Sequence, residues 1–383
     1  MKKDNNFSRF LNWKKSLFEE IEFYRDTLPQ KRKDEVLEKN FPFYKVLYRR
    51  KIIKYYLRKI GILKLIYGLL KIKYTESWFK KNSSNLWDFR NKLVDYKSIS
   101  NLESVIILRD ASIFQYFFRK TNDAEFLKLK SENTFNEEKF PKKYISIPLV
   151  VSEASFIDNK DTFQVIGIKS FIQNVNEYQQ YFPLIDNKRF FPKKDDTVID
   201  CGSCIGDVSV IFGKLVGKKG KVFMLDPSNL HNQFAELQIK YNPDLKNVLI
   251  PCKYAVNDKT KLNSKNLDDS NEINPAAIDI SKFDTVSLDE FCDMKNIGNV
   301  NYIKMDIEGY EIEALEGGAN IIKKYKPKLA ISAYHKNDDI WKISNLILKI
   351  LPEYQLFFRH HSSSVGESVI YAMTKEEYHN YKN

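Results

Sequence analysis

Two short runs hold residue types at spacings that chemistry can use. The first is Asp200-Cys201-Gly202-Ser203-Cys204-Ile205-Gly206-Asp207, where an apolar strand, Thr197-Val198-Ile199, opens into an acidic, glycine-bearing turn. A second acid, Asp226, followed by Pro227, closes the next apolar run, Lys221 to Leu225. Strand, glycine turn, helix, strand and terminal acid make a nucleotide-type pocket at the carboxyl edge of a parallel sheet. Asp226 stands 20 residues beyond Gly206, where it can accept hydrogen bonds from both hydroxyls of a ribose. The turn lacks the Gly-x-Gly-x-x-Gly of pyrophosphate binders, and no Lys-Ser/Thr follows as in a P-loop. An adenosine ligand without phosphates fits better, and S-adenosylmethionine is the common one. Gly202 permits the sharp turn and a close backbone approach, Gly206 lets the next helix pack near the sheet, and Ser203 is small and polar. Asp200 fixes the turn or accepts from the ligand's ammonium. Asp207 has an equally good structural role, complementing the dipole of the following helix.

The second run is Tyr302-Ile303-Lys304-Met305-Asp306-Ile307-Glu308-Gly309-Tyr310-Glu311. Two acids at the mouth of a central strand are costly unless they bind something. A carboxylate there can align or deprotonate an attacking hydroxyl. The plainer alternative is that Asp306 caps the turn and Glu308 is a solvated acid at a helix start. His335 ends a further strand-like run, Lys328 to Tyr334, and its imidazole titrates near neutrality. It could take the hydroxyl proton, or serve only as a structural hydrogen-bonder. His360 and His361 lie in a polar loop, where they could contact substrate but read more simply as solvated. Cys201 and Cys204 have Cys-x-x-Cys spacing without a partner pair, and no His/Asp/Glu set has metal-ligand spacing, so no metal is expected. A nucleophile elbow and a Cys-His set are also missing.

These residues need a frame. From 196 onward strands alternate with helices, as in a doubly wound sheet, with strands expected at 197–200, 221–225, 247–252, 301–305 and 328–334. A closing pair at 354–359 and 368–373 implies a hairpin, hence one antiparallel strand in a mostly parallel α/β Rossmann-like sheet. Ser287-Leu288-Asp289-Glu290 is a capping box that opens a helix. Residues 141–195 are rich in strand-like runs and read as a connector, with 174–182 as a candidate lid or a surface helix. Residues 1–140 are basic and mainly helical in pattern.

The chain has 383 residues, enough for two cores, with 43% hydrophobic and 29% charged residues as in ordinary globular proteins. Its formal net charge of +12 suits acidic partners such as membrane headgroups, anionic glycans or nucleic acid. Within Phe43 to Tyr74 ten Lys and Arg interleave with apolar residues and no acid occurs. Such a segment can lie on an anionic membrane or pack as a helix pair with a cationic outer face. No nucleic-acid motif accompanies the charge, so nucleic acid is not the expected partner. The start has no apolar signal core, the longest greasy run is too short to span a bilayer, and four cysteines read as buried thiols, all of which suits the cytoplasm.

At these residues the chain resembles the FkbM-type methyltransferases over roughly 178–375. The resemblance rests on the 200–207 turn, Leu225-Asp226-Pro227, Thr285 to Asp289, Ile303 to Glu311, Leu315-Glu316-Gly317-Gly318, Ala333-Tyr334-His335, Arg359-His360-His361 and Glu367 to Ala372. Two departures are Ser203-Cys204 in place of the family's Ala-Asn, and Asp226 in place of its Glu. The resemblance implies an S-adenosylmethionine-dependent O-methyltransferase acting on a hydroxyl of a glycan or secondary metabolite. Asp200, Gly202, Ser203, Gly206, Asp226 and Pro227 would then hold the cofactor, and Asp306, Glu308 and His335 would serve the acceptor. A nucleic-acid methyltransferase and a non-catalytic membrane-docking protein are the rival readings.

Overall fold

A computed structural model describes residues 8–17, 78–111, 126–144, 147–157, 161–262, 280–362 and 366–382. The basic segment 43–74 lies outside the described residues. The chain divides into two compact units, residues 1–88 with 102–116, and residues 89–101 with 117–383. In the first, Trp13 donates from its indole to Glu103 at 2.9 Å and packs against Phe79 and Trp87. No helix among the described residues is long and apolar enough to cross a membrane.

The second unit opens with antiparallel strands. β1 (Leu127–Thr134), β2 (Lys143–Tyr144), β3 (Ile147–Phe156) and β4 (Thr162–Ile168) pair through β3. β1 lies in a stretch whose sequence pattern reads as helical. Its face is mostly exposed, so its charged residues carry no period-two signal, and pairing with β3 holds it. A small hairpin, β5 (Leu184–Ile185) with β6 (Lys188–Arg189), follows.

The main sheet has seven strands: β7 (Thr197–Cys201), β8 (Lys221–Leu225), β9 (Leu249–Cys252), β12 (Tyr302–Met305), β13 (Lys328–Ser332), β14 (Tyr354–His360) and β15 (Ser368–Thr374). The short pair β10 (Ala255–Val256) and β11 (Thr285–Val286) stands apart. Numbered by chain order within the main sheet, the strands run 3-2-1-4-5-7-6. All neighbours are parallel except where β15 meets β13 and β14. The expected strands are therefore present, with the expected single reversed strand. β7 and β12 are neighbours yet their following connections lead to opposite sides, which leaves a crevice at their carboxyl ends.

Burial explains why these runs are strands. β13 is buried throughout and β12 likewise, which suits continuous apolar runs flanked by strands on both sides. Helix Leu288–Met294 begins as its sequence requires, with Ser287 Oγ accepting from Glu290 N at 3.3 Å.

Two glycines set the crevice. Gly202 has φ +73, and a Cβ there would lie 1.9 Å from the Asp306 carbonyl oxygen. Gly206 has φ +83, and a Cβ there would meet Met224 Cε at 2.7 Å. Both conformations disfavour L side chains, and the first contact is with backbone that cannot swing aside. Gly202→Ala is expected to lower unfolding stability by about 2–5 kcal/mol, combining backbone strain with overpacking. Urea denaturation of purified variant and wild type checks this.

Candidate active site

The floor of the crevice is a buried ion pair. Asp200, at the end of β7, is fully buried, and Lys304, on β12, is 3% exposed. Lys304 Nζ lies 3.0 Å from Asp200 Oδ1 and donates to the Gly202 carbonyl at 2.7 Å. Ser209 Oγ donates to Asp200 Oδ2 at 2.5 Å. Burial works against the ammonium, but the Asp200 and Asp306 carboxylates outweigh it and raise the lysine above its usual range. Both Asp200 oxygens are thus engaged from inside the fold, and Asp200 serves the turn through Lys304.

Gly202, Ser203 and Gly206 line the turn above that pair. Asp226 sits at the end of β8, 6% exposed. Its Oδ1 accepts from Ser228 N at 3.0 Å and lies 2.7 Å from His231 Nδ1, while Oδ2 accepts from Cys204 N at 3.0 Å. A carboxylate offers about four acceptor directions, so one remains on Oδ2. Asp226 can therefore take one ribose hydroxyl in this arrangement, where the spacing in sequence suggested two. Pro227 follows it directly and starts the turn that Ser228 caps.

Across the crevice stand the acceptor-side residues. Asp306 follows β12, and two phenols converge on it: Tyr181 donates to Oδ2 at 2.7 Å and Tyr334 to Oδ1 at 3.1 Å. Burial alone would raise the Asp306 carboxyl, but Lys304, His335 and the Tyr181 hydroxyl together hold it below the ordinary carboxylate range. His335 lies 3.4 Å from Asp306 Oδ1, 3.7 Å from Glu308 Oε2 and 3.0 Å from Glu311 Oε1. Its burial disfavours the charge, but Glu311, Asp306 and Glu308 prevail and push the imidazole up to about 9. Glu308, at φ +56, is pushed upward by burial and by its acidic neighbours, against the pull of His335. The structure thus brings Asp306, Glu308 and His335 together, as their positions at strand ends imply.

Other site residues escaped sequence reasoning. Tyr181 belongs to the stretch read as a lid or surface helix. The segment begins with a π-helical turn over Asn174–Tyr178, and Gln179 to Phe182 are buried. Tyr371 and Tyr302 pin Tyr181 from the sheet: Tyr181 N donates to the Tyr371 hydroxyl at 2.9 Å, and the Tyr302 hydroxyl donates to its carbonyl at 3.0 Å. Behind Tyr371 stands His361. Its Nδ1 must donate to the Tyr178 carbonyl at 2.7 Å, so its Nε2 accepts from the Tyr371 hydroxyl at 2.8 Å. Burial and the nearby charges of Arg359 and Lys97 outweigh the pull of the Tyr178 carbonyl, so the ring is neutral, with its pKa pushed down to about 3. His360 and His361 are therefore buried hydrogen-bonding groups, not the solvated pair that their polar loop suggested. Glu367 also faces the mouth. Gln180 donates to it at 2.5 Å, and burial, followed by the charge of Asp306, lifts its carboxyl to about 7. A long sequence separation, such as 181 to 306, leaves no local signal for these partners.

Residues 200–361 match the family model of the methyltransferase FkbM domain. The chain carries an FkbM methyltransferase domain. The match begins at Asp200 and takes in the glycine turn, Asp226, the Asp306 mouth and His335. No curated protein matches the chain at a significant level. Among solved structures, the chain is similar to the methyltransferase FkbM of Methylobacillus flagellatus KT, with TM-score 0.50 and 19% identity. That likeness covers 77% of this chain and 59% of the other, and it shows the shared fold of the FkbM domain. An O-methyltransferase from Bacillus cereus is similar over 47% of this chain and 74% of its own, with 14% identity and TM-score 0.33. The fibrillarin pre-rRNA processing protein of Methanococcus jannaschii gives 66%, 98%, 12% and 0.35 in the same order.

Two measurements check the electrostatics of the FkbM domain. Lys304→Met leaves Asp200 buried and unpaired and should lower stability by about 3–5 kcal/mol in urea unfolding. His335 gains charge stability on folding, so its contribution is full below the unfolded value of about 6.5. It is lost as pH rises through about 9. The urea midpoint of the wild type should therefore fall toward that of His335→Gln between pH 7 and 10, a loss on the order of 2–3 kcal/mol.

Proposed function

We propose that the FkbM domain uses S-adenosylmethionine to methylate a neutral hydroxyl of a glycan or of a secondary metabolite. The observation that carries this reading is the juxtaposition of the Gly202 turn with Asp306 across the β7–β12 crevice. A Cβ on Gly202 would fill the space beside the Asp306 carbonyl, so donor and acceptor sides adjoin without an intervening side chain.

The residues fit an adenosyl ligand. Asp226 has one acceptor direction left for a ribose hydroxyl, and Gly202, Ser203 and Gly206 add no bulky side chain to the turn. When bound, the cofactor supplies a methyl group on a positively charged sulfur. Tyr181 and Tyr334 hold the Asp306 carboxylate ionised and oriented toward the mouth, where it aligns the acceptor hydroxyl. Positioning of this kind supplies much of the rate in a bimolecular transfer. Glu308 stands beside Asp306 to receive the hydroxyl proton, and the positively charged His335 aligns both carboxylates.

The charge of the mouth supports a neutral acceptor. Asp306, Glu308 and Glu311 surround His335, and such a wall repels a phosphodiester backbone despite the overall charge of +12. This disfavours the nucleic-acid alternative. Contact with an anionic membrane through 43–74 and a cytoplasmic site of action remain part of the proposal, resting on the basic amphipathic pattern of that segment.

Calorimetry with S-adenosylhomocysteine tests the donor side. Saturable binding of one ligand per chain is expected, weakened about 10–100-fold by Asp226→Ala through loss of one charge-assisted hydrogen bond. Absence of binding to the wild type would refute the cofactor assignment. On the acceptor side, transfer of a labelled methyl group to a glycan should fall about 100–10,000-fold in Asp306→Asn.

A further inference from the structure

The acceptor mouth contains an arrangement that hydroxyl alignment uses only in part. Asp306 follows β12, Glu311 starts helix Glu311–Gly317, and His335 comes shortly after β13. One ligand atom from each lies within 4.8 Å of those from the other two. Three ligand atoms around one metal ion at about 2.0–2.2 Å lie roughly 3–3.6 Å from one another. Loading the ion draws these atoms together by up to about an ångström through side-chain rotation.

Two further observations point to a ligand. Glu311 is 1% exposed, and its Oε1 is taken by Ile307 N at 3.0 Å and Gly309 N at 3.4 Å. Its Oε2 is also buried and has no hydrogen-bond partner among the described residues. The His335 side chain is 9% exposed, and neither ring nitrogen achieves hydrogen-bonding geometry despite the carboxylates around it. A buried carboxylate oxygen left this way is expensive unless something else engages it. The charges agree. Three carboxylates, Asp306, Glu308 and Glu311, face one imidazole, and Lys304 is already paired with Asp200.

We propose that Asp306, Glu311 and His335 bind a divalent first-row transition-metal ion, Mn2+ or Zn2+ in preference to Mg2+ or Ca2+. One imidazole with two carboxylates is a mixed nitrogen–oxygen set, which suits those ions, whereas Mg2+ and Ca2+ favour oxygen alone. Ligation requires the neutral imidazole, so loading releases a proton. The surroundings already orient the ligands: Tyr181 and Tyr334 fix Asp306, and the backbone of Ile307 and Gly309 fixes Glu311. Glu308 faces His335 from a further side. The ion would polarise the acceptor hydroxyl. That role rests on the methyl-transfer reading above, whereas the binding itself does not.

The experiment titrates Mn2+ alone into the full chain after chelator treatment, following free Mn2+ by electron paramagnetic resonance, with Zn2+ by calorimetry in parallel. One ion per chain is expected, with at least about tenfold weaker binding in both His335→Ala and the near-isosteric Asp306→Asn. Circular dichroism and thermal melting confirm that each variant is folded. No saturable binding of either ion to the wild type overturns the proposal, as does binding unchanged in both folded variants. S-adenosylhomocysteine binding, measured on the same metal-free protein, separates failure of this site from failure of the cofactor assignment.

Discussion

A single ammonium organises the centre of this fold. Lys304 is buried where β7 meets β12, at the point where the sheet order changes direction. It neutralises Asp200, donates to the carbonyl of Gly202 and lowers the charge burden on Asp306. Donor turn, strand floor and acceptor carboxylate all depend on this one cation. A buried ion pair contributes little net stability compared with apolar packing, but breaking half of it is severe. Its value lies in geometry. An apolar pair at these positions would pack, yet it would leave the Gly202 carbonyl without its donor and Asp306 without a nearby positive charge.

Around that centre the protein sets opposing protonation preferences within a small space. Asp306 is kept ionised by cations and phenols, while Glu367 is driven toward its neutral form by burial and by Asp306 itself. His335 is held positive by three acids, and His361 is held neutral by burial and by the nearby cations of Arg359 and Lys97. The two histidines differ because one faces carboxylates, while the other is fully buried near cations. Residue type is the same in each case, and environment decides the state.

Much of the frame was legible in the chain. The apolar runs ending at Asp200, Asp226, Asp306 and His335 announced strand ends, and strand ends in a parallel sheet are where ligands bind. The FkbM-like pattern and the mixed sheet followed from the same runs. What could not be read was which distant residue meets which strand end. Tyr181 reaches Asp306 only because Tyr371 and Tyr302 hold its backbone, and no local periodicity encodes that. The polar loop at His360 and His361 misled for a related reason: its hydrogen-bond partners are 183 and 8 residues away in sequence, so burial was invisible locally. The engaged oxygens of Asp226 show the same limit. Spacing located the carboxylate, but the donors that occupy it come from the turn and from the helix after it.

The contact between the Gly202 backbone and the carbonyl of Asp306 has a mechanical meaning. Two loops that touch main chain to main chain cannot slide past one another without a clash, so they behave as one rigid jaw. The spacing between the atom that gives and the atom that takes is then built in during folding, and neither guest has to create it on arrival. Such a centre would spend little of its ligands' binding energy on closing up, and would reject mismatched guests by shape rather than by motion.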